Sequence, residues 1–308
     1  MHKVIAFDGG GIRGILTATL LERLAAAYPA LLGNATLLAG TSSGGIIALS
    51  LATGMSPSAV RQLCVDSGPK IFDGNWGSLG GWFTSKYDND GLRETLTAVF
   101  GGMTLGALAK EVLVSSFDLD YDDPQEAGEY SRRWKAKFFT NRPADKDRSE
   151  LALDVALSTS AAPTYFPIYK GYIDGGVIAN NPSVAALAQV LAPPVGQPNA
   201  YGNPGNVLLL SLGSGMSFKW IDETNASWGK LDWIQDGRII EIMMEGVADV
   251  ADFQCAQILA GRYKRLAPAF PPGETVDLDD VEKIRYLSRF AQEVEIAPAV
   301  QWLNAVGW

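Results

Sequence analysis

Twice between Lys3 and Ala52 the chain repeats one pattern: a short apolar run stops on closely spaced glycines, and an apolar helical segment follows. Lys3 to Phe7 reads as a buried strand and Gly9 to Gly14 as a turn. Ile15 to Tyr28 reads as a helix with Leu16, Leu20, Leu21 and Leu24 on one face. Thr36 to Ala39 is the second strand; it runs into Gly40, and Gly45 to Ala52 is a helix closed by Gly54 and by Pro57 beyond it. Further apolar strands are expected at Val112 to Phe117, Ala136 to Thr140 and Val207 to Leu212, with helices at Leu151 to Ser158 and Ser183 to Leu191. This alternation predicts an α/β fold of three layers, α/β/α, around a mostly parallel central sheet.

Two stretches rich in Gly, Pro and Asn, Asp73 to Asp90 and Ala192 to Gly205, are expected loops. From Asp236 onward the pattern is mainly helical, with Ile239, Ile240, Met243, Met244, Val247 and Val250 forming a stripe expected to cap the sheet. The reading is one domain, residues 1–215 being the α/β core and 216–308 a mainly helical region. A chain of 308 residues can bury roughly 75% of the surface its unfolded form exposes, enough for such a core.

Charge and cysteine content narrow the function. The net charge of -9 repels polyphosphate backbones, and no cluster of Lys, Arg and aromatic residues offsets it, so a nucleic-acid partner is not expected. Cys64 and Cys255 are too few and too far apart for a disulfide framework or a metal cluster, which fits a reducing, cytoplasmic setting. The first residues enter strand-like sequence without an export signal. No apolar run approaches the roughly 18 residues of a membrane span, so contact with a membrane would be peripheral, at its inner face.

Three local sequences carry chemistry. Gly40-Thr41-Ser42-Ser43-Gly44 after a strand is the nucleophile-elbow pattern, in which small neighbours allow a sharp turn that exposes the central hydroxyl. Asp8-Gly9-Gly10-Gly11-Ile12-Arg13-Gly14 also fits a dinucleotide loop. That reading needs a carboxylate after the second strand, yet no acidic residue lies between Glu22 and Asp66, and Asp8 would repel a phosphate. The alternative is a loop whose exposed N–H groups stabilise an oxyanion. Ile173-Asp174-Gly175-Gly176 is ordinarily a turn. The one histidine, His2, lies ahead of the first expected strand, so a serine nucleophile here needs another base, and Asp174 is placed to supply it.

Together these residues resemble the patatin-like phospholipases, relatives of the plant storage lipid acyl hydrolases and of cytosolic phospholipase A2. The D-G-G-G-x-R-G loop, the G-x-S-x-G elbow and the D-G-G turn appear in family order. The resemblance extends from Lys3 to about Gly215, including Ser211-Leu-Gly-Ser-Gly215. It implies a patatin-like fold and a phospholipase A-type hydrolase in which Ser42 attacks the ester carbonyl and Asp174 accepts its proton. It also implies oxyanion donors at the N–H groups of Gly10 and Gly11, and Arg13 either near the substrate phosphate or supporting the loop. No metal or organic cofactor is implied, and the acidic residues lack the spacing of a calcium loop. The implied partner is membrane phospholipid. A homo-oligomer and a small activating ligand stay open, the latter by analogy with bacterial effectors of nucleotide-activated antiviral systems, with Asp73 to Asp90 as the candidate gate.

Simpler roles are expected elsewhere. Ser43 is a small residue the elbow tolerates, Asp8 fixes the glycine loop by accepting backbone N–H groups, and His2 lies on the surface. Trp76, Trp82, Phe83, Trp220, Trp228 and Trp233 are candidates for a lipid-facing rim or for ordinary packing. Rival activities are acyl transfer from Ser42 to an alcohol, a binding protein without turnover, and a dinucleotide oxidoreductase.

Overall fold

The computed structural model describes residues 1–72, 85–122, 132–193, 197, 199–221, 227–234 and 237–308, without the side chains of 231 and 234. Seven strands form one sheet: β1 (His2–Phe7), β2 (Leu37–Thr41), β3 (Glu111–Tyr121), β4 (Arg133–Thr140), β5 (Tyr172–Asp174), β6 (Val207–Leu212) and β7 (Tyr263–Leu266). The order is β4-β3-β2-β1-β6-β7, and β5 pairs with β3 off this path. Strands β3, β2, β1, β6 and β7 run parallel, while β4 and β5 lie antiparallel to β3.

Successive residues of a strand face opposite sides, and β1 shows what that does here. Ile5 and Phe7 enter one core with the helices Gly14–Ala27, Ser43–Ala52 and Ala152–Thr159. Val4 and Ala6 enter another with the helix Ser183–Leu191 and with Cys255 and Leu259. A sheet buried on both faces needs apolar residues at every position, which is why β1 and β6 read as continuous apolar runs rather than alternating ones. The expected three-layer architecture is therefore present.

Two expectations about particular residues fail. His2 does not precede the first strand but belongs to β1 and pairs with Val207, while its exposure agrees with the expected surface position. At about 3.3 Å per residue it lies roughly 20 Å from the end of the strand where Ser42 sits. The helix Arg238–Leu259 does not bury the expected stripe. Met244, Ala248, Ala251, Cys255 and Leu259 face the protein, whereas Met243 and Val250 are exposed. Glu241, Glu245, Asp249 and Asp252 form one charged stripe, but apolar residues cover most of the remaining surface of the helix, a band too broad for periodicity alone to choose the buried face. The small side chains at Ala248 and Ala251 allow the close approach that decided it.

Past Ser217 the sequence pattern gave helices, yet the segment also supplies β7, a parallel neighbour of β6. The helices Ile284–Glu293 and Ala297–Val306 close the chain. The first of them is fastened to Gly14–Ala27, where the Arg23 guanidinium donates to the carbonyls of Ala291 and Val294. Trp308 is buried and donates its indole N–H to Leu31 O at 3.0 Å.

Candidate active site

The parallel strands deliver their carboxyl ends to one edge of the sheet, and the three glycine-rich sequences meet there. At the elbow Ser42 takes φ 54° and ψ -125°, a backbone conformation that costs a residue with a Cβ about 1–3 kcal/mol and that the surroundings must enforce. A Cβ on Gly40 would overlap Gly44 O, and one on Gly44 would overlap Phe7 O, so both glycines are steric requirements. Ser42 N–H donates to Thr159 Oγ1 at 2.8 Å, and the Thr159 hydroxyl donates to Ser115 O at 2.6 Å. Thr159 thus ties the turn to β3, a role the sequence did not announce. The helix Ser43–Ala52 starts at Ser42 and directs its positive N-terminal dipole end at that hydroxyl.

Asp174 ends β5, opposite Ser116 of β3, and is 1% exposed. Its Oδ1 accepts the Gly176 N–H at 2.7 Å, while its buried Oδ2 has no hydrogen-bond partner of ordinary geometry. Burial pushes its pKa up to about 7, and the nearby Ser42 hydroxyl and the Gly176 N–H only partly offset that desolvation. A carboxylate half-ionised near neutral pH can take a proton from a hydroxyl and return it, which is what a general base requires.

The glycine loop lies against this pair. Gly9 N–H donates to Asn180 O at 3.0 Å, and Ser214 Oγ donates to Gly9 O at 2.8 Å. A Cβ on Gly9 would press on Asn180 and Ser42, and one on Gly10 would overlap Ser214. Gly11 has φ 54°, and a Cβ there would overlap the Leu278 carbonyl. Among the described residues the N–H groups of Gly10 and Gly11 meet no acceptor. The stretch Ser211 to Gly215 therefore positions this loop from β6.

Ser42 and Asp174 line an apolar cleft of about 840 Å³ counted to its open mouth. Its walls include the helices Pro57–Ile71 and Asp90–Phe100, which contribute Leu63, Leu92 and Leu96, together with Phe72 just past the first helix and with Tyr165 and Met244.

A family model described as patatin-like phospholipase matches residues 5–187. The chain belongs to the patatin-like phospholipase family. It is, as such, a lipid acyl hydrolase. Relatives span nearly the whole chain. A protein of Pseudomonas aeruginosa named cGAMP-activated phospholipase is 29% identical over 300 residues, covering 92% of this chain and 83% of the relative. Patatin-like protein 2 of Arabidopsis thaliana is 28% identical over 356 residues, covering 97% and 84%. The solved structure of VipD from Legionella pneumophila aligns over 94% of this chain and 67% of its own, at a TM-score of 0.40 and 12% identity, too distant to bear on function.

The family loop is fixed here in an unexpected way. Asp8 does not hold the glycines by accepting their N–H groups. Its carboxylate faces β7 and forms a bidentate pair with Arg265, Oδ2 to Nη2 at 2.6 Å and Oδ1 to Nη1 at 3.2 Å, and Arg265 also donates to Ser211 Oγ at 2.8 Å. The reason is geometric: Asp8 follows directly on β1, and its partner arrives on a strand two places away in the sheet but more than 250 residues away in sequence. Burial raises the Asp8 pKa, with the Arg265 charge opposing the shift. Replacing Arg265 by leucine should lower unfolding free energy by about 3–5 kcal/mol, because it leaves Asp8 buried and unpaired. In urea unfolding, the double variant Asp8→Asn/Arg265→Leu should recover much of that loss, and equal stability of wild type and Arg265→Leu would refute the pairing argument.

Arg13 is 3% exposed, and its Nη1 lies 3.7 Å from Glu245 Oε1. Of the aromatic candidates, Trp76, Trp82 and Phe83 lie outside the described residues, as does most of the expected gate. At its described end, Lys86 and Tyr87 donate their N–H groups to the carbonyls of Thr164 and Tyr165 beside the cleft. Among the described residues no group of three or more His, Cys, Asp or Glu side chains is placed to hold a metal ion, and no helix is long and apolar enough to cross a membrane.

Proposed function

We propose that the chain cleaves fatty acyl esters of phospholipids through an acyl-Ser42 intermediate, with Asp174 as the single acid/base. The observation that carries this reading is an elbow serine and a buried carboxylate lining one apolar cleft, the carboxylate's Oδ2 having no hydrogen-bond partner of ordinary geometry and its pKa being raised to about 7. The acyl chain lies in the cleft. Ser42 Oγ attacks the ester carbonyl carbon while its proton passes to Asp174, and the tetrahedral oxyanion accepts hydrogen bonds from the Gly10 and Gly11 N–H groups. Collapse breaks the bond to the glycerol oxygen, which leaves with the Asp174 proton. A water deprotonated by Asp174 then attacks the acyl-serine, and collapse of the second tetrahedral intermediate frees the fatty acid and returns the proton to Ser42. Each oxyanion donor is worth about 2.7–4 kcal/mol of transition-state stabilisation. Arg13 adjoins the same loop and is the cation offered to the lipid phosphate.

The test is fatty acid release from mixed phospholipid vesicles. Release by the wild type that is lost in Ser42→Ala and Asp174→Asn supports the reading; equal release by either folded variant would sink it. Assaying the wild type with and without cGAMP tests a small activating ligand, the reading suggested by the printed name of the Pseudomonas relative.

Contact with the bilayer is assigned to an exposed apolar patch. Phe218 and Trp220 (83% exposed) flank Lys219, with Ile221 next, and Lys219 is bonded to Glu241 at 2.6 Å; Ile242 and Met243, also exposed, follow Glu241 and precede Met244 of the cleft lining. Trp is favoured where one side is apolar and the other wet. Trp220→Ser should weaken partition onto phospholipid vesicles about tenfold at unchanged thermal stability. Unaltered vesicle binding would remove the patch from the proposal.

A further inference from the structure

Arg13, next in the chain to Gly11 and Ile12 of the cleft lining, is a buried charge with little compensation. Its Nε and Nη1 have no hydrogen-bond acceptor, and a guanidinium cannot shed its proton to relieve that. Asp8 is committed to Arg265. Glu245 stands at 3.7 Å, an ion-pair distance but too long for a hydrogen bond. Buried donors without acceptors require a reason, and a role in binding an anion supplies one.

The position of Glu245 gives the pair a further consequence. It follows Met244, which lines the cleft beside Ser42 and whose Cε fills the space a side chain on Gly176 would need, next to Asp174. The Arg13 side chain is 4% exposed, whereas that of Glu245 is 43% exposed and has solvent to turn into. Glu241 and Asp249 oppose its charge where it stands. The contact is loose on the Glu245 side and fixed on the Arg13 side.

We infer that Glu245 is the specificity-determining residue for the phosphate group: it stands on Arg13 where a lipid phosphodiester would pair, and it must swing out when that phosphodiester binds. Glu245 therefore holds down affinity for phosphate-bearing esters relative to uncharged acylglycerols. The inference rests on the phospholipase reading of the site, but its test includes a binding measurement that needs no turnover.

The probe is glycerophosphoglycerol, titrated calorimetrically into Ser42→Ala protein with and without Glu245→Gln. In parallel, kcat/KM is measured for a short-chain phosphatidylglycerol and the diacylglycerol of the same chains. Removing the competing carboxylate should tighten glycerophosphoglycerol about 5- to 10-fold and raise the phosphatidylglycerol-to-diacylglycerol ratio by a similar factor, through KM. Adding Arg13→Gln should abolish the gain. Glu241→Gln removes the same charge one turn away and should give less than half the effect. Unchanged binding, weaker binding, or an equal gain from Glu241→Gln would overturn the inference. If the wild type hydrolyses neither lipid, the phospholipase reading fails, and the calorimetric titration still decides whether Glu245 competes for Arg13.

Discussion

Ser42→Ala is expected to lower acyl-ester turnover by about 10⁴-fold or more and to abolish labelling by a fluorophosphonate, while leaving the cleft able to bind lipid. The size follows from the absence of any substitute. The histidine of the chain lies at the far end of β1, and Ser43 does not take the strained backbone conformation that presents Ser42. Loss of a nucleophile with no stand-in leaves only oxyanion stabilisation and substrate orientation, which alone give a small residual rate. Measured as kcat with a chromogenic acyl ester and with vesicles, the two substrates should fall together. A variant retaining a tenth of wild-type turnover would mean that another group carries the acyl chain.

Asp174→Asn should act in opposite directions on activity and stability. Without a base, turnover falls by about 10²–10⁴-fold. In the wild type, kcat/KM should rise with pH through an apparent pKa near 7 and then level off, since the carboxylate is the active form. For stability the sign is reversed. The folded pKa, about 7, lies above the ordinary 3.8, so the stabilising protonated form is present in full below about pH 4. That contribution is lost as pH rises to about 7 and through it, where the folded protein is made to bury a charge. Asparagine does not titrate and still offers an acceptor to Gly176 N–H. Its advantage should therefore be absent near pH 4 and reach on the order of 2 kcal/mol at pH 8, measurable as a higher Tm. An Asp174→Asn protein less stable than wild type at pH 8 would mean that the carboxylate charge is better satisfied than its unengaged Oδ2 implies.

Much of the fold and site was readable from local sequence because local sterics fix them. Apolar runs that end on glycine can only be strands entering sharp turns, so β1, β2, β6 and the elbow were placed within a residue or two. Ser42 and Asp174 were singled out by the same turns, Gly10 and Gly11 by the family resemblance, and the fold brings Gly11, Ser42 and Asp174 to one cleft. What local sequence could not supply was partnership across long separations. Nothing in Tyr263–Leu266 marks it as a strand until β6 is available as a neighbour. Nothing marks Arg265 as the partner of Asp8, or Thr159 as the anchor of the elbow. The inward face of Arg238–Leu259 was likewise undecided, because outside its acidic stripe the helix is apolar over a band broader than the buried face, and the surface it packs on chooses within that band.

The sequence by itself determined the turn chemistry: where the backbone must pass without a Cβ, which hydroxyl is thrust out, and that no imidazole stands beside it. Only the tertiary structure decided the electrostatics. A carboxyl group has its pKa raised to about 7, and a guanidinium keeps unanswered donors, because residues distant in the chain close over them and exclude water, and burial is a property of the assembled fold rather than of any segment.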